Sequence, residues 1–154
     1  MSMSVESILG QMGLTLPEPP QPVAAYVPSV RTGNLLIVSG QLPFAGKSLL
    51  AKGKVPTAID MEQARAAAEQ CVLNGLAIAK AELDGDLNRI KRVVRLGVFV
   101  QSEDSFHDQP QVANGASELM QRLFGEAGRH ARAAIGVTVL PLDAPVEVEL
   151  VVEA

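Results

Sequence analysis

Residues 60–85 read DMEQARAAAEQCVLNGLAIAKAELDG. Asp60 is a good helix N-cap, and Gln63 is placed three residues later to return a hydrogen bond, as in a capping box. Asp84 and Gly85 then end the pattern with residues that tolerate a left-handed backbone. Small and apolar residues recur between these two ends at helical spacing, namely Ala64, Ala68, Cys71, Val72, Gly75, Leu76, Ala79 and Leu83. The stretch predicts a long helix that lies closely on a sheet.

The residues after this helix predict the rest of the core. Residues 94–101 alternate between aliphatic and other side chains with a period of two, which is typical of a strand. Residues 109–124 return to helical spacing, and Gly125 provides a C-cap. Two β-rich runs, 133–140 and 146–152, close the chain, joined by a proline-bounded connection at 141–145.

The residues before the helix predict a hairpin and a loop. Two extended runs between Ala24 and Ser39 flank Thr32-Gly33-Asn34, a typical turn. The second run, Leu35 to Val38, is apolar throughout, so we expect it to be buried on both faces and to end at a functional edge. Residues 42–58 contain two glycines and two prolines without a period, and they predict a loop.

The N-terminal 22 residues differ from the rest of the chain. Val5, Ile8, Leu9 and Met12 share one face of a short helix over residues 4–12 that would lie on a larger body. Four prolines between residues 17 and 22 predict an extended tether. We therefore expect an N-terminal helix and tether over 1–22 and one domain over 23–154. The order ββαβαββ makes this an α+β fold with helices against one sheet.

Composition excludes several classes of function. The chain has 154 residues, 47% of them hydrophobic, which suffices for one folded domain. A net charge of −4 and 3% aromatic residues leave no basic surface or stacking platform for nucleic acid. One cysteine and two histidines predict neither a disulfide framework nor a metal site. Because we find no secretory leader and no apolar run of ~20 residues, we expect a cytoplasmic protein without membrane contact.

Motif absences exclude further reaction classes. The sequence lacks the phosphate-binding GxxxxGK[ST] loop, a GxGxxG turn after a strand, a GxSxG elbow and an HExxH zinc motif. Nucleotide, dinucleotide and zinc chemistry therefore lack their usual support. Cys71 lies within the apolar helix stripe, so we interpret it as a buried small hydrophobe rather than a nucleophile.

The best candidates for chemistry lie near the C-terminus. Arg132 immediately precedes a predicted strand, where its guanidinium could hold a planar carboxylate by two parallel hydrogen bonds. The alternative is a surface arginine paired with a nearby acid. If the last two strands are antiparallel neighbours, Glu147 returns toward Arg132 and adds an acid/base, although alternating glutamates also suit a solvated strand face. His130 is a weaker candidate for tuning this site, and His107 lies in a polar loop.

Three separated blocks resemble the reactive-intermediate deaminase (Rid, YjgF-like) family in order and spacing. The first is Tyr26-Val27 followed by GNLLIVSGQLP at 33–43, the second is VRLGVFV at 94–100, and the third is ARAAIGV at 131–137 with LP at 140–141 and VEVE at 146–149. The resemblance covers about residues 23–152. Members of this family are often labelled endoribonucleases or translation inhibitors.

The resemblance implies a chorismate-mutase-like fold, a mixed sheet with two main helices on one face, and a homotrimer with ligand clefts between subunits. It also implies that Arg132 binds a substrate carboxylate and that Glu147 activates the water that attacks an imine. Further cleft residues implied by the resemblance are Tyr26, Ser39, Asn114 and Ala134, of which Ala134 occupies a position that is often cysteine. The implied reaction hydrolyses small 2-imino acids to 2-keto acids and ammonia, without a metal or organic cofactor.

Two other functions remain open on the residues alone. The same arginine could bind a keto acid or similar carboxylate in a noncatalytic sensor. A ribonuclease is the least favoured reading, because the chain is acidic and poor in aromatic residues.

Overall fold

A computed structural model describes residues 2–21 and 25–154 of the chain. The longer elements are two helices, α2 and α3, and a five-stranded sheet. In chain order the elements are α1 (Val5–Gln11), β1 (Ser29–Thr32), β2 (Leu35–Gln41), β3 (Phe44–Ala45), β4 (Ser48–Leu49), α2 (Met61–Glu82), β5 (Arg92–Gln101), α3 (Gln109–Phe124), β6 (Ala131–Val137) and β7 (Val146–Glu153). The predicted α+β class is confirmed, and the predicted boundary at residue 22 lies outside the described residues.

Helix α2 begins and ends where its sequence predicts. The Asp60 carboxylate accepts from the Gln63 N–H at 2.8 Å, and the Gln63 side chain accepts from the Asp60 N–H at 3.1 Å. Asp84 and Gly85 follow the helix with φ of 56° and 85°. Cys71 is fully buried in the middle of the helix, as predicted.

The sheet is mixed, with strand order β1-β2-β7-β5-β6. β7 runs antiparallel to both β2 and β5, whereas β6 is parallel to β5 and forms one edge. The last two predicted strands are therefore not neighbours, because β5 lies between them. Strand β6 also begins earlier than predicted and spans Ala131–Val137 rather than 133–140.

Helices α2 and α3 pack side by side on one face of the sheet. The buried aliphatic residues of β2, β5 and β7 point toward these helices, and the alternate residues form an open face. The prediction that β2 is buried on both faces is wrong for this reason. Leu36 and Val38 are buried, whereas Leu35 and Ile37 are 37% and 42% exposed on the open face.

The open face is rich in apolar side chains. Val30 pairs with Ile37, so these two side chains share the open face, and Ile135 lies on the same face of β6. All three are exposed in the single chain. Arg95 of β5 and Glu149 of β7 form an ion pair of 3.0 Å on the same face, in the middle of the sheet. Glu147 and Glu153 of β7 lie on this face as well. Exposed apolar side chains clustered on one face of a sheet are typical of a subunit interface.

The N-terminal helix α1 packs on α3 and uses the predicted apolar face. Val5 and Leu9 are buried in the common core, and Ile8 and Met12 pack against it. Glu6 anchors α1 from outside, because its two carboxylate oxygens accept from the Leu87 N–H and the Asn88 side chain at 3.1 and 3.0 Å. The segment is thus fixed to the domain.

Residues 42–58 contain a small hairpin of β3 and β4 in addition to the predicted loop. The buried side chain of Asn74 on α2 fixes its first part, donating to the carbonyl oxygens of Leu42 and Phe44 at 3.0 Å each. Among the described residues, no helix is long and apolar enough to cross a lipid bilayer.

The contact between α2 and α3 yields a stability prediction. A Cβ added at Gly115 of α3 would collide with the backbone carbonyl of Arg65 on α2. We expect Gly115→Ala to lower the free energy of unfolding in urea by about 1–3 kcal/mol, because a backbone atom cannot move aside cheaply.

Gly10→Ala is the matched control, since a Cβ at residue 10 meets nothing within 4 Å in α1. It should leave stability unchanged or raise it by up to ~1 kcal/mol, because alanine is the better helix former. Equal stability of the two variants would contradict this description of the helix contact.

Candidate functional site

Arg132 is the second residue of β6, inside the strand rather than before it as predicted. It pairs with the buried Leu96 of β5, which places its side chain on the helix-covered side of the sheet, beside α3. Ala134 lies on the same side, two residues further, and packs partly against the core. The sheet edge therefore holds Arg132 at a boundary between core and solvent.

Two neutral side chains of α3 position the Arg132 guanidinium. Its Nη1 donates to Oδ1 of Asn114 at 2.8 Å and to Oγ of Ser117 at 3.1 Å. In the described part of the chain, no carboxylate forms an ion pair with Arg132. Arg132 is therefore not a surface arginine paired with a nearby acid, which was the alternative interpretation of the sequence. The positive charge remains uncompensated and available to an anion.

His130 orients Ser117. Nδ1 of His130 lies 2.7 Å from the carbonyl oxygen of Gly128, which can only accept, so Nδ1 carries the proton. Nε2 then accepts from the Ser117 hydroxyl at 2.9 Å, which leaves the serine lone pairs for Arg132. Burial lowers the pKa of His130, and the nearby Arg132 charge lowers it further, so the neutral ring is favoured.

A polar cavity of about 580 Å³ adjoins this group. Glu118 also lines it, but its carboxylate pairs with Arg65 at 2.7 Å. Arg129 lines the rim and is mostly exposed, with Glu126 at 3.6 Å. Arg132 is thus the only arginine of this cavity, among the described residues, that is oriented by a fixed hydrogen-bond network.

Glu147 lies in β7 on the open face of the sheet. Its carboxylate rests against Gly40, where a Cβ would collide with it. Partial burial raises the pKa of Glu147, and the negative charge of Glu149, two residues along the same face, raises it further. A carboxylate of this kind is a better proton acceptor than a solvated one.

Ser39 and Tyr26 lie next to Gly40. The Ser39 hydroxyl donates to the carbonyl oxygen of Val27 at 2.7 Å, which leaves its lone pairs free to accept. Tyr26 is 62% exposed and lines a small cavity together with Gly40. Tyr26, Ser39 and Glu147 therefore form a second group of the predicted site residues.

The two groups do not meet within one chain, so the predicted intrachain clamp of Arg132 and Glu147 is wrong. Glu147 of β7 pairs with Phe99 of β5, which in turn pairs with Ile135 of β6. Ile135 lies three residues beyond Arg132 along β6, and β6 is two strands away from β7. Strand spacings then separate the two Cα atoms by about 14 Å. Their side chains also point to opposite faces of the sheet. The cause is β5, which lies between β6 and β7.

Sequence reasoning missed Ser117 and Gly40. Ser117 follows Asn114 by three residues in a predicted helix, so both share one face, and this spacing could have identified it. Gly40 gave no such signal, because the contact with Glu147 depends on the pairing of β2 with β7.

The described residues contain neither a cluster of metal ligands nor an activated thiol. Across residues 2–21 and 25–154, no three His, Cys, Asp or Glu side chains come together as a metal site requires. Burial raises the pKa of the Cys71 thiol, which lies 3.6 Å from the carbonyl oxygen of Val146. Such a thiol is a poor nucleophile.

A mixed sheet covered by helices on one face, with an exposed arginine at its edge, defines a class of small α+β proteins. The profile of the family described as "YjgF/chorismate mutase-like, putative endoribonuclease" matches residues 6–154. The chain belongs to this family, and it has the YjgF/chorismate-mutase-like fold.

Individual relatives match almost the whole chain. Protein TCP17 of Trypanosoma cruzi is 45% identical over 150 residues, which cover 97% of this chain and 93% of the relative. A 2-iminobutanoate/2-iminopropanoate deaminase of Dermatophagoides farinae is 29% identical over 139 residues, 90% of this chain and 93% of the relative. The crystal structure of Atu1372 from Agrobacterium tumefaciens, of unknown function, is 45% identical with a TM-score of 0.91, covering 97% and 91% of the two chains.

The environment of Glu147 yields a prediction about its titration. We expect Glu149→Gln to lower the pKa of Glu147, because the substitution removes a neighbouring negative charge and frees the positive charge of Arg95. The carboxyl carbon shift of Glu147, followed by NMR against pH, measures the change.

Glu153→Gln is the control, since residue 153 lies on the same strand and face but about 20 Å from residue 147. It should leave the titration of Glu147 nearly unchanged. A pKa of Glu147 that rises in Glu149→Gln would contradict the electrostatic cause.

Proposed function

We propose that the protein hydrolyses small 2-imino acids to 2-keto acids and ammonia, at sites that two subunits of a homotrimer share. The observation that carries the proposal is the Arg132 guanidinium, which neutral partners hold and with which no carboxylate of residues 2–21 and 25–154 forms an ion pair. The 29% identical relative named as an imine deaminase supports the reaction class.

Arg132 would bind the substrate carboxylate. Nη1 is occupied by Asn114 and Ser117, and Nη2 makes no hydrogen bond within the described residues, so it can donate to a ligand together with Nε. Two parallel N–H···O bonds would fix the plane of the carboxylate and of the C=N bond next to it. Orientation of this kind is a large part of catalysis when the substrate is already electrophilic.

Glu147 would provide the acid/base. As a water oxygen bonds to the imine carbon, the Glu147 carboxylate takes a proton from that water. The C=N π electrons of the protonated imine move onto nitrogen, which gives a neutral carbinolamine. Glu147 returns its proton to that nitrogen, the C–N bond breaks to release ammonia, and the Glu147 carboxylate takes the proton of the carbinolamine hydroxyl as the C=O bond forms. The raised pKa of Glu147 suits both steps, because the same group first accepts and then returns a proton.

Ser39 and Tyr26 would line the same site. The Ser39 hydroxyl proton is held by Val27, so its oxygen can accept an N–H from the imine or from the leaving ammonia. The exposed Tyr26 ring lies beside Gly40 and can cover the reacting group. Ala134, next to Arg132 on its strand, would face the ligand from the other subunit.

Two observations support a shared site. Arg132 and Glu147 lie on opposite faces of the sheet and cannot reach one small molecule within a chain. The open face that carries Glu147 also exposes the apolar residues expected of an interface. Packing the open faces of three chains together would bring Glu147 of one subunit toward the β6 edge of the next.

Replacement of Arg132 tests the proposal. An amino-acid oxidase generates the imino acid in situ, and release of keto acid is measured with and without the protein. We expect Arg132→Ala to lower kcat/KM by at least about a hundredfold, because two charge-assisted hydrogen bonds are lost.

Arg129→Ala is the matched control, since Arg129 lines the same cavity without a fixed position. It should change kcat/KM by less than about threefold. An Arg132→Ala protein with full activity would exclude the proposed role. Saturable carboxylate binding by the wild type, without hydrolysis above the rate in free solution, would instead favour the noncatalytic sensor.

A further inference from the structure

A second, mainly apolar cavity lies beside the Glu147 group. One wall is formed by Pro17, Glu18 and Pro20 of an extended segment, residues 17–21, that we call the proline arm, and the other wall is formed by Phe44. The cavity has a volume of about 490 Å³, and Gln41 and Asn74 form its floor. We call this space the arm cavity.

The polar groups in the floor are already occupied. Both donor contacts of Asn74 go to the Leu42 and Phe44 carbonyls, and its oxygen accepts from Gln70 at 3.0 Å. The Gln41 amide donates to the Ser39 and Gly40 carbonyls at 2.9 and 3.3 Å. The floor therefore offers few free donors, and an apolar occupant loses little by entering.

The arm cavity continues to the proposed site. A smaller space of about 180 Å³ shares Pro20, Gln41 and Phe44 with it and extends to Tyr26 and Gly40. Gly40 is the residue against which the Glu147 carboxylate rests. Gly40 thus links the two features, because it lines the smaller space and also contacts Glu147.

The proline arm follows a segment that is anchored to the core. Helix α1 anchors its N-terminal side through the buried Val5 and Leu9, and Leu14 and Leu16 pack against the core. Proline also restricts the backbone of the arm itself. A preformed wall binds an apolar group without first having to become ordered.

We propose that the arm cavity binds the substrate side chain and selects 2-imino acids with extended apolar side chains over small or charged ones. The proposal rests on the proposed function, because it takes the reacting C=N group to lie at Glu147. Phe44 and Pro20 are the specificity-determining residues.

The test compares imino acids derived from alanine, norleucine and glutamate, generated in situ by an amino-acid oxidase. Each buried methylene should raise kcat/KM about three- to fourfold, so the norleucine substrate should exceed the alanine substrate by at least about tenfold. The glutamate substrate, similar in length but charged, should fall below the norleucine substrate by at least a similar factor.

Variants of the cavity residues test whether the arm cavity causes the preference for the norleucine substrate over the alanine substrate. Phe44→Ala should reduce the ratio of norleucine to alanine activity at least threefold, and Pro20→Ser should reduce it in the same direction. Pro19→Ser is the control for loosening of the arm backbone, because it also replaces a proline of the arm but Pro19 lines a neighbouring cavity instead. The ratio of norleucine to alanine activity in Pro19→Ser should equal that of the wild type.

The outcomes separate the two proposals. Hydrolysis of all three substrates at similar rates, or a ratio that Phe44→Ala leaves unchanged, would overturn the role of the arm cavity and leave the deaminase intact. If no imine is hydrolysed, the deaminase fails, and calorimetric binding of 2-oxohexanoate and 2-oxopropanoate decides the cavity. Tighter binding of 2-oxohexanoate that Phe44→Ala abolishes would support it, and equal binding would overturn it.

Discussion

Helices α2 and α3 cover one face of the sheet, and the other face has no covering element among the described residues. Strand side chains alternate between the two faces, so this asymmetry divides the chemistry-bearing residues into two groups. Arg132 lies on the helix side at the β6 edge, and Glu147 lies on the open side in β7. Within a single chain, Arg132 and Glu147 therefore cannot act on one small molecule.

The electrostatics of each group fit its position. Asn114 and Ser117 hold Arg132 by hydrogen bonds to neutral oxygens, and His130 keeps Ser117 in an accepting role. Glu147 is partly desolvated beside a second carboxylate, which raises its pKa. An anion site and a base of raised pKa are the two components that hydrolysis of a carboxylate-bearing imine requires.

Local sequence signals predicted the elements well. The capping box at Asp60, the Gly125 C-cap of α3 and the alternation in β5 all depend on neighbours within a few residues. Strand order is a nonlocal property, and nothing between residues 131 and 153 shows that β5 separates β6 from β7. The same limit explains β2, whose apolar run Leu35 to Val38 suits either a buried strand or an exposed face that another subunit covers.

The residue pattern made Arg132 and Glu147 candidates, whereas the other site residues were predicted only by resemblance. Asn114 became a candidate only through the family, and the structure places it 2.8 Å from Arg132. Ser117 and Gly40 were missed, because their roles depend on packing between α3 and β6 and between β2 and β7. Residue type and spacing identify the charged groups of such a site more readily than the neutral groups that position them.

Subunit complementation tests most directly whether two chains form each site. Arg132→Ala and Glu147→Gln proteins, each inactive alone, are unfolded together, refolded as a mixture and assayed for imine hydrolysis. Random mixing in a ring of identical interfaces gives about a quarter of the sites an intact Arg132 from one chain and an intact Glu147 from its neighbour. Shared sites therefore predict about a quarter of the wild-type activity in the mixture. A mixture as inactive as its two components would contradict a site shared between subunits.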